Sequence, residues 1–247
     1  MRIFASIRGA LILAYLTGIV WLRRDPTSAF YLASTPFAMF FIIAMVTRGG
    51  LVANAISGGL VMLLLHHGLS LGSDATLYRI EYKLQDIVVA SPISSAVYML
   101  GLALSELVFA GPAAIILGIL AIALTPGPHN MALLTLTMLL VWLSGSSLGF
   151  LFSTYVPHVR SATQIVALLS GALTVLPPVF YPMNVLPDIL QSASYLIPTT
   201  HASLLSLFSL GQKIPENWSP SIGVFALLLY TVSFACIALL KARWRQV

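Results

Sequence analysis

The chain has 247 residues, of which 59% are hydrophobic and only 8% are charged. A soluble domain carries roughly 25% charged residues, so this chain lacks the polar groups needed to cover a water-facing surface. The composition therefore excludes an ordinary soluble enzyme or binding domain, and it makes the net charge of +5 a signal of membrane topology rather than of nucleic-acid binding.

Long stretches without Lys, Arg, Asp or Glu predict an all-α integral membrane protein. Most of these stretches exceed the roughly 20 residues that span a bilayer as a helix. They also lack the period-2 alternation of membrane barrel strands. The uncharged stretches are 26–47, 51–73, 107–159, 161–187 and 217–240.

The first 25 residues predict a helix at the cytoplasmic surface of the membrane. Arg2 and Arg8 precede an apolar stretch of about 14 residues, which is short for a span, and Arg23 and Arg24 close it. No small-residue cleavage site follows, so a removed signal peptide is not indicated. We predict an uncleaved interfacial helix over 1–25 anchored by its arginines, with a true span as the alternative.

Six membrane spans are predicted in the remainder of the chain. They cover about 28–47, 51–69, 95–124, 130–154, 164–177 and 220–240. The segment 179–212 is interrupted by Pro182, Pro187 and Pro198, and a continuous helix does not tolerate this proline spacing. It predicts short helices or a re-entrant hairpin at the far membrane face.

The segment between the second and third spans is polar. On a helical wheel an apolar arc lies opposite Arg79 and Lys83, so the pattern predicts one amphipathic helix over 74–91 that is too polar to span. Such a helix either rests on lipid headgroups or docks a cytoplasmic partner. Its charged residues are Asp74, Arg79, Glu81, Lys83 and Asp86, and its apolar arc contains Leu77, Ile80, Leu84, Ile87 and Val88.

Basic residues predict the orientation of the chain. With the N-terminus inside, ten of the twelve Lys and Arg residues fall in cytoplasmic segments and only Arg48 and Lys213 fall outside. Cytoplasmic loops carry such an excess of Lys and Arg. The count therefore predicts that both termini of this multi-pass protein face the cytoplasm.

Little in the sequence indicates catalysis. There is no GxxxxGK[ST] phosphate loop, no nucleophile elbow, and no cluster spaced to bind a metal, so we predict no catalytic residue, metal site or bound cofactor in the chain itself. Glu106 is the one acid well inside a predicted span, and such acids are either functional or structurally neutralised. The small residues Ser57–Gly59 and Ser144–Ser147 predict either close helix packing or a groove for substrate.

Three motifs together resemble the ABC-2 type transporter permeases, the membrane subunits of ATP-driven exporters. The first is Arg23-Arg24-Asp25-Pro26, which leads from an N-terminal apolar helix into a span. The second runs from Asp86 through Ser91-Pro92 to Tyr98-Met99-Leu100-Gly101. The third runs from Ser170-Gly171 through Phe180-Tyr181-Pro182 and Leu186-Pro187 to Ile197-Pro198-Thr199-Thr200.

The resemblance implies a single permease domain over 1–247 that works with two kinds of partner. One is a separate nucleotide-binding subunit, which would bind ATP and magnesium. The other is a second permease subunit, identical or not, with spans two and five at the interface along which substrate passes. Helix 74–91 would be the main coupling helix and 157–164 a smaller one.

Several residues receive roles through the resemblance. Contacts to the ATPase subunit are expected from Arg79, Glu81, Lys83, Asp86, His158 and Arg160. An extracellular hairpin or gate is expected from Phe180, Tyr181, Pro182, Pro187 and Pro198. The sequence thus predicts a plasma-membrane exporter subunit for a hydrophobic or amphipathic substrate, embedded in lipid and without nucleic-acid partners. The alternative is a secondary transporter or channel that works without ATP and uses Glu106.

Overall fold

The computed structural model of the chain describes residues 2–91 and 93–242, including their side chains except those of 2–6 and 28–32. Pro92, Arg243, Arg245 and the side chain of Arg2, all used in the sequence predictions, lie outside the described residues. Across the described ranges the chain forms helices and loops and no β-strand. The predicted all-α class is confirmed.

Eleven α-helices follow one another along the described chain. They are α1 (Arg2–Ala14), α2 (Val20–Arg24), α3 (Pro26–Val46), α4 (Val52–Ile80), α5 (Leu84–Val89), α6 (Ser95–Leu124), α7 (Met131–Ser153), α8 (Val159–Val175), α9 (Asp188–Ser194), α10 (Pro198–Ser209) and α11 (Pro220–Lys241). A π-helical turn (Tyr15–Ile19) joins α1 to α2, and a 3-10 turn (Met183–Val185) precedes α9.

Four of these helices, α4, α6, α7 and α11, are long and apolar enough to cross a membrane. Two other predicted spans are also helical, but their described apolar stretches, Ala33–Val46 in α3 and the whole of α8, are shorter. All six predicted segments therefore exist as helices, while length and composition support four of them as spans.

Helix α4 lies at the centre of the bundle. It packs against α3, α6, α7, α8 and α10, and most of its residues are buried, from Ala55 near one end to Tyr78 near the other. Its own chain covers most of α4 and leaves a half-exposed face at Met62, His66 and Ser70, so the expectation that the second span lines an interface with another permease subunit stays a prediction. The exposed face of α8, which includes Thr163 and Leu168, remains available to a partner.

The predicted amphipathic helix over 74–91 is wrong as a single element. Helix α4 continues to Ile80, eleven residues beyond the predicted end of the second span, and α5 begins only at Leu84. Between them Lys83 adopts a left-handed backbone with φ of 52°. The helix extends because Ala75, Thr76 and Tyr78 pack inside the bundle, and such tertiary packing outweighs the periodicity of the segment itself.

The N-terminal helix follows the first half of α6. A Cβ atom on Gly9 would contact Val97, one on Gly101 would contact Leu13, and one on Gly18 would lie 3.0 Å from the Cα of Ser105. This register means that the N-terminal helix and α6 run in the same direction, side by side. The assignment of 1–25 to the membrane surface stays a prediction.

Candidate functional site

The contact between α4 and α7 is a backbone-to-backbone seam built from glycines. A Cβ atom on Gly68 would lie 2.6 Å from the carbonyl oxygen of Trp142, and one on Gly149 would lie 2.8 Å from that of Leu69. A Cβ atom on Gly145 would likewise lie 2.9 Å from the carbonyl oxygen of Leu65. Small residues spaced by four permit this approach between membrane helices. Of the two interpretations of the 144–147 segment, close packing is the one observed.

Arg79 ties the end of α4 to the loop that follows α7. Its guanidinium donates hydrogen bonds to the carbonyl oxygens of Thr154, at 3.1 Å, and of Val156. The side chain is half-buried, and its contact with an ATPase subunit stays a prediction. A guanidinium presents several donors in a fixed fork, which suits it to joining two backbone carbonyls.

The other residues predicted to contact an ATPase subunit lie close to this Arg79 contact. Lys83 is exposed in the turn after α4, while His158 and Arg160 are exposed where α8 begins. Residues 159–164 form the first turns of α8 rather than a separate small helix. We call the exposed group Glu81, Tyr82, Lys83, His158 and Arg160 the docking surface. Asp86, in α5, is half-buried and lies apart from it in the chain.

We call the end of the bundle that carries the docking surface the Ile80 end. The hydroxyl of Tyr155 donates to the carbonyl oxygen of Lys241, so α11 also terminates there. The opposite end, called the Val52 end, carries the turn Thr47–Leu51 and the connection from α6 to α7. At that end the backbone N–H of Asn130 donates to Ser209, at 2.8 Å.

The segment predicted as a hairpin or gate covers the Val52 end. Phe180 is buried, and its ring would lie 2.5 Å from a Cβ atom on Gly58 of α4. The hydroxyl of Tyr181 donates to the carbonyl oxygen of Leu176 at 2.9 Å. Among the prolines, Pro187 immediately precedes α9 and Pro198 is the first residue of α10, a position where the missing N–H costs nothing. Pro182 precedes the 3-10 turn.

Helix α10 returns from this segment into the bundle, which the sequence did not reveal. It is buried along most of its length against α4, α7 and α11. Its hydroxyl groups find carbonyl partners: Ser203 donates to Val179 at 3.1 Å and Thr200 to Ser194 at 2.6 Å. These bonds explain how a helix rich in Ser and Thr is buried without leaving polar groups unsatisfied.

His201 of α10 is held in one tautomer. Its Nε2 donates to the carbonyl oxygen of Tyr195 at 2.9 Å, and its Nδ1 accepts from the indole N–H of Trp218 at 3.2 Å. A neutral imidazole has one donor and one acceptor, and both are used here. His201 is therefore a structural link between α10 and the loop before α11.

Glu106 of α6 lies in a polar cluster rather than alone. Its Oε2 is 3.1 Å from Nδ1 of His67, and it shares a side-chain hydrogen bond with Asp74. Both partners come from α4, and Glu106 itself is 2% exposed. Two carboxyl groups can hydrogen-bond to each other only when a proton lies between them. These neighbours are not evident from the sequence, because they lie 39 and 32 positions away along the chain.

Two cavities open beside these features. The cavity at the Val52 end has a volume of about 950 Å³ and is lined by several amide side chains together with Tyr195, Asp188 and Lys213. The second cavity, of about 430 Å³, is lined by residues of α2, α4, α6 and α8, including Asp74 and Glu106. We call this second space the acidic cavity. Within the described residues no group of three or more His, Cys, Asp or Glu side chains is arranged to hold a metal ion.

A bundle of long apolar helices around a central α4, with little mass outside it, defines a membrane-embedded domain. The chain belongs to the ABC-2 type transporter family, which matches residues 2–208. This membership confirms the resemblance and indicates the permease subunit of an ABC transporter. No curated protein matches the chain.

Proposed function

We propose that the chain is the membrane subunit of an ATP-driven exporter and that a separate ATPase subunit supplies the energy through the docking surface. The observation that carries this proposal is the position of that surface at the end of α4. One uninterrupted helix of 29 residues leads from the docking surface through the core to Phe180. Because the helix is continuous, a displacement of one end also moves the other end.

The orientation follows from the charges at the two ends of the bundle. The Ile80 end carries Arg79, Lys83, Arg160 and Lys241, whereas Arg48 and Lys213 are at the Val52 end. The excess of basic residues at the Ile80 end supports a cytoplasmic position for it. A cytoplasmic ATPase would then meet the docking surface, and both termini would lie on the same side as that enzyme.

Six spans fit this orientation. Helix α3 has 21 residues and α8 has 17, which fall within the roughly 17–25 residues that cross a hydrocarbon core. Together with α4, α6, α7 and α11 they would make six membrane spans. The segment from Val179 to Gln212, including the buried α10, would then form a re-entrant cover on the outer side.

The mechanism uses α4 and α7 as one rigid body. Their glycine seam leaves no room for sliding, since a single added methyl group would meet backbone atoms. When ATP draws two nucleotide-binding subunits together, the docking surfaces of two paired permeases would move with them. The tilt of α4 would change the packing of Phe180 against Gly58 and open the outer cover, which gives alternating access through two packed states.

Affinity purification from the native membrane tests this proposal. A tagged chain should retain an ATPase subunit of about 25–35 kDa, an estimate from typical domain sizes, and the preparation should hydrolyse ATP. The double variant Lys83→Glu with Arg160→Glu should lose both properties, because the docking surface would repel its partner.

The matched control reverses the same number of charges at the Val52 end, Arg48→Glu with Lys213→Glu. It should retain the subunit and the hydrolysis. Equal retention by both double variants would contradict the docking assignment, and absence of any ATPase from every preparation would contradict the proposed function.

The cluster of Glu106, Asp74 and His67 favours a second candidate, an ATP-independent transporter coupled to protons. In that case proteoliposomes containing the chain alone would show proton-coupled flux, and Glu106→Gln would abolish it. The first candidate predicts no such flux without the ATPase subunit.

A further inference from the structure

The acidic cavity has the form of a small-molecule site. Its volume of about 430 Å³ lies within the roughly 300–1,000 Å³ typical of ligand pockets. Four separate elements contribute to its wall, α2, α4, α6 and α8, so its shape depends on the folded bundle. It reaches from the exposed Asp25, at the end of α2, to the buried Glu106.

The charge of the lining has one sign. Three carboxyl groups line the cavity, those of Asp25, Asp74 and Glu106, and its described lining includes no Lys or Arg. The carboxyl groups of Asp74 and Glu106 lie close enough to interact with each other, and a cation bound beside them would favour the charged form of both. Asp74 is half-buried, whereas Glu106 is buried.

Two histidines of α4, His66 and His67, lie beside the acids. His67 faces Glu106 through Nδ1, and Nδ1 of His66 lies 3.1 Å from the hydroxyl of Ser170. Each ring is therefore held by a polar side chain. Glu106 holds His67, and Ser170 holds His66. The polar floor of the cavity therefore consists of carboxyl groups and the histidines beside them, with no Lys or Arg among its described lining residues.

Aromatic and apolar groups form the rest of the wall. Trp21 and Phe109 line the cavity, and Leu77 and Tyr78 line it on the α4 side. The ring of Trp21 is part of an aromatic group with Tyr82, at 6.5 Å between centroids. Aromatic faces attract organic cations through the ring quadrupole, and buried carboxylates do so by charge.

We propose that the acidic cavity binds an amphiphilic organic cation, a substituted ammonium head group attached to an apolar or aromatic body. The ammonium would lie against Asp74 and Glu106, and the body would lie between Trp21, Phe109 and Val166. This site and its ligand class go beyond the proposed function. Binding does not require ATP, so the two proposals fail separately.

An isosteric pair of probes tests the proposal directly. Benzyltrimethylammonium carries the positive charge, and neopentylbenzene has nearly the same shape without it. Full-length protein in lipid nanodiscs should bind the cation with at least tenfold higher affinity than the neutral probe, measured by equilibrium dialysis. Equal affinity for the two would overturn the proposal, since apolar partition into the bundle would then account for all binding.

Variants locate the binding. Asp74→Asn keeps hydrogen-bonding capacity but removes charge, and it should weaken benzyltrimethylammonium binding at least tenfold without affecting neopentylbenzene. Trp21→Leu should weaken it several-fold. The control Asp188→Asn removes an acid that lines the other cavity and should leave binding unchanged.

A second variant tests the cavity without changing the Asp74 and Glu106 pair, where a substitution could affect folding. Asp25→Asn changes an exposed residue, and the amide oxygen can still accept the hydrogen bond from the N–H of Thr27 that caps α3. This variant should fold normally and weaken cation binding about threefold. If Asp74→Asn and Asp25→Asn both elute as folded protein and both bind like wild type, the acidic cavity is not the site.

Discussion

The two sides of α4 differ in how closely their neighbours approach. Toward α7 the glycines bring backbone against backbone, and a methyl group on Gly68 or Gly145 would collide with main-chain atoms. Toward α2 and part of α8 the same helix borders an open space of about 430 Å³ lined by Asp74 and Ser73. On a helix of 3.6 residues per turn these sets fall on separate faces.

The difference indicates that the two sides of α4 have different roles. A seam without free volume resists any relative movement, because interiors at close-packed density transmit displacement instead of absorbing it. A cavity with ionisable walls has the opposite properties, since it can admit a ligand and tolerate changes of shape. We infer that the α7 side maintains the bundle and that the cavity side responds to what it binds.

The largest effect is expected from the seam. Gly68→Ala places a methyl group 2.6 Å from the carbonyl oxygen of Trp142, and relief requires moving the α7 backbone. Overpacking of this kind costs about 1–3 kcal/mol or more, so we expect a large loss of folded protein in fluorescence-detected size exclusion. Gly118→Ala on α6 is the control, because a Cβ atom there meets nothing within 4 Å; an equal loss from both would refute the role of the seam.

A smaller effect is expected at the Arg79 contact. Arg79→Ala removes the hydrogen bonds to Thr154 and Val156, and hydrogen bonds from a charged group contribute about 1.5–3 kcal/mol when well formed. Partial exposure of the side chain reduces this, so we expect about 1–2 kcal/mol less stability in thermal unfolding. Lys83→Ala, four residues later and exposed, should unfold like wild type; similar losses would mean that the contact adds nothing specific.

The smallest effect is expected at His201. Trp218→Phe removes the N–H that donates to Nδ1 of His201 and exchanges the buried indole for a smaller phenyl ring. A single neutral hydrogen bond contributes about 0.5–1.5 kcal/mol, which should appear as a fall of a few degrees in melting temperature. The control is Trp21→Phe, which changes an exposed ring and should not change the melting temperature. An equal fall in melting temperature for both variants would mean that the hydrogen bond between Trp218 and His201 does not stabilise the fold.

Much of the fold could be predicted because lipid imposes a simple pattern. Uncharged stretches located all six apolar segments, and the prolines at 182, 187 and 198 marked where helices begin or end. These features depend on local composition and on backbone restrictions. They need no knowledge of which segments meet.

The site residues were harder to assign because their partners are distant in sequence. The sequence does not indicate that Arg79 bonds to carbonyl groups 75 and 77 positions away. Glu106 has no ionisable neighbour close to it in the sequence, whereas in the fold α4 brings His67 and Asp74 to it. The burial of α10 is not evident from the sequence either, because Ser and Thr make its composition polar. In the fold these hydroxyl groups donate hydrogen bonds to backbone carbonyl oxygens.

Thiol accessibility tests the difference between the two sides of α4 most directly. In a Cys236→Ser background, which removes the single exposed cysteine, Ser73→Cys would place a thiol in the acidic cavity and Ser146→Cys would place one in the α4–α7 seam. We expect a water-soluble maleimide to label Ser73→Cys in folded protein, with benzyltrimethylammonium slowing the reaction, and to leave Ser146→Cys unlabelled. Equal labelling of the two positions would contradict the account.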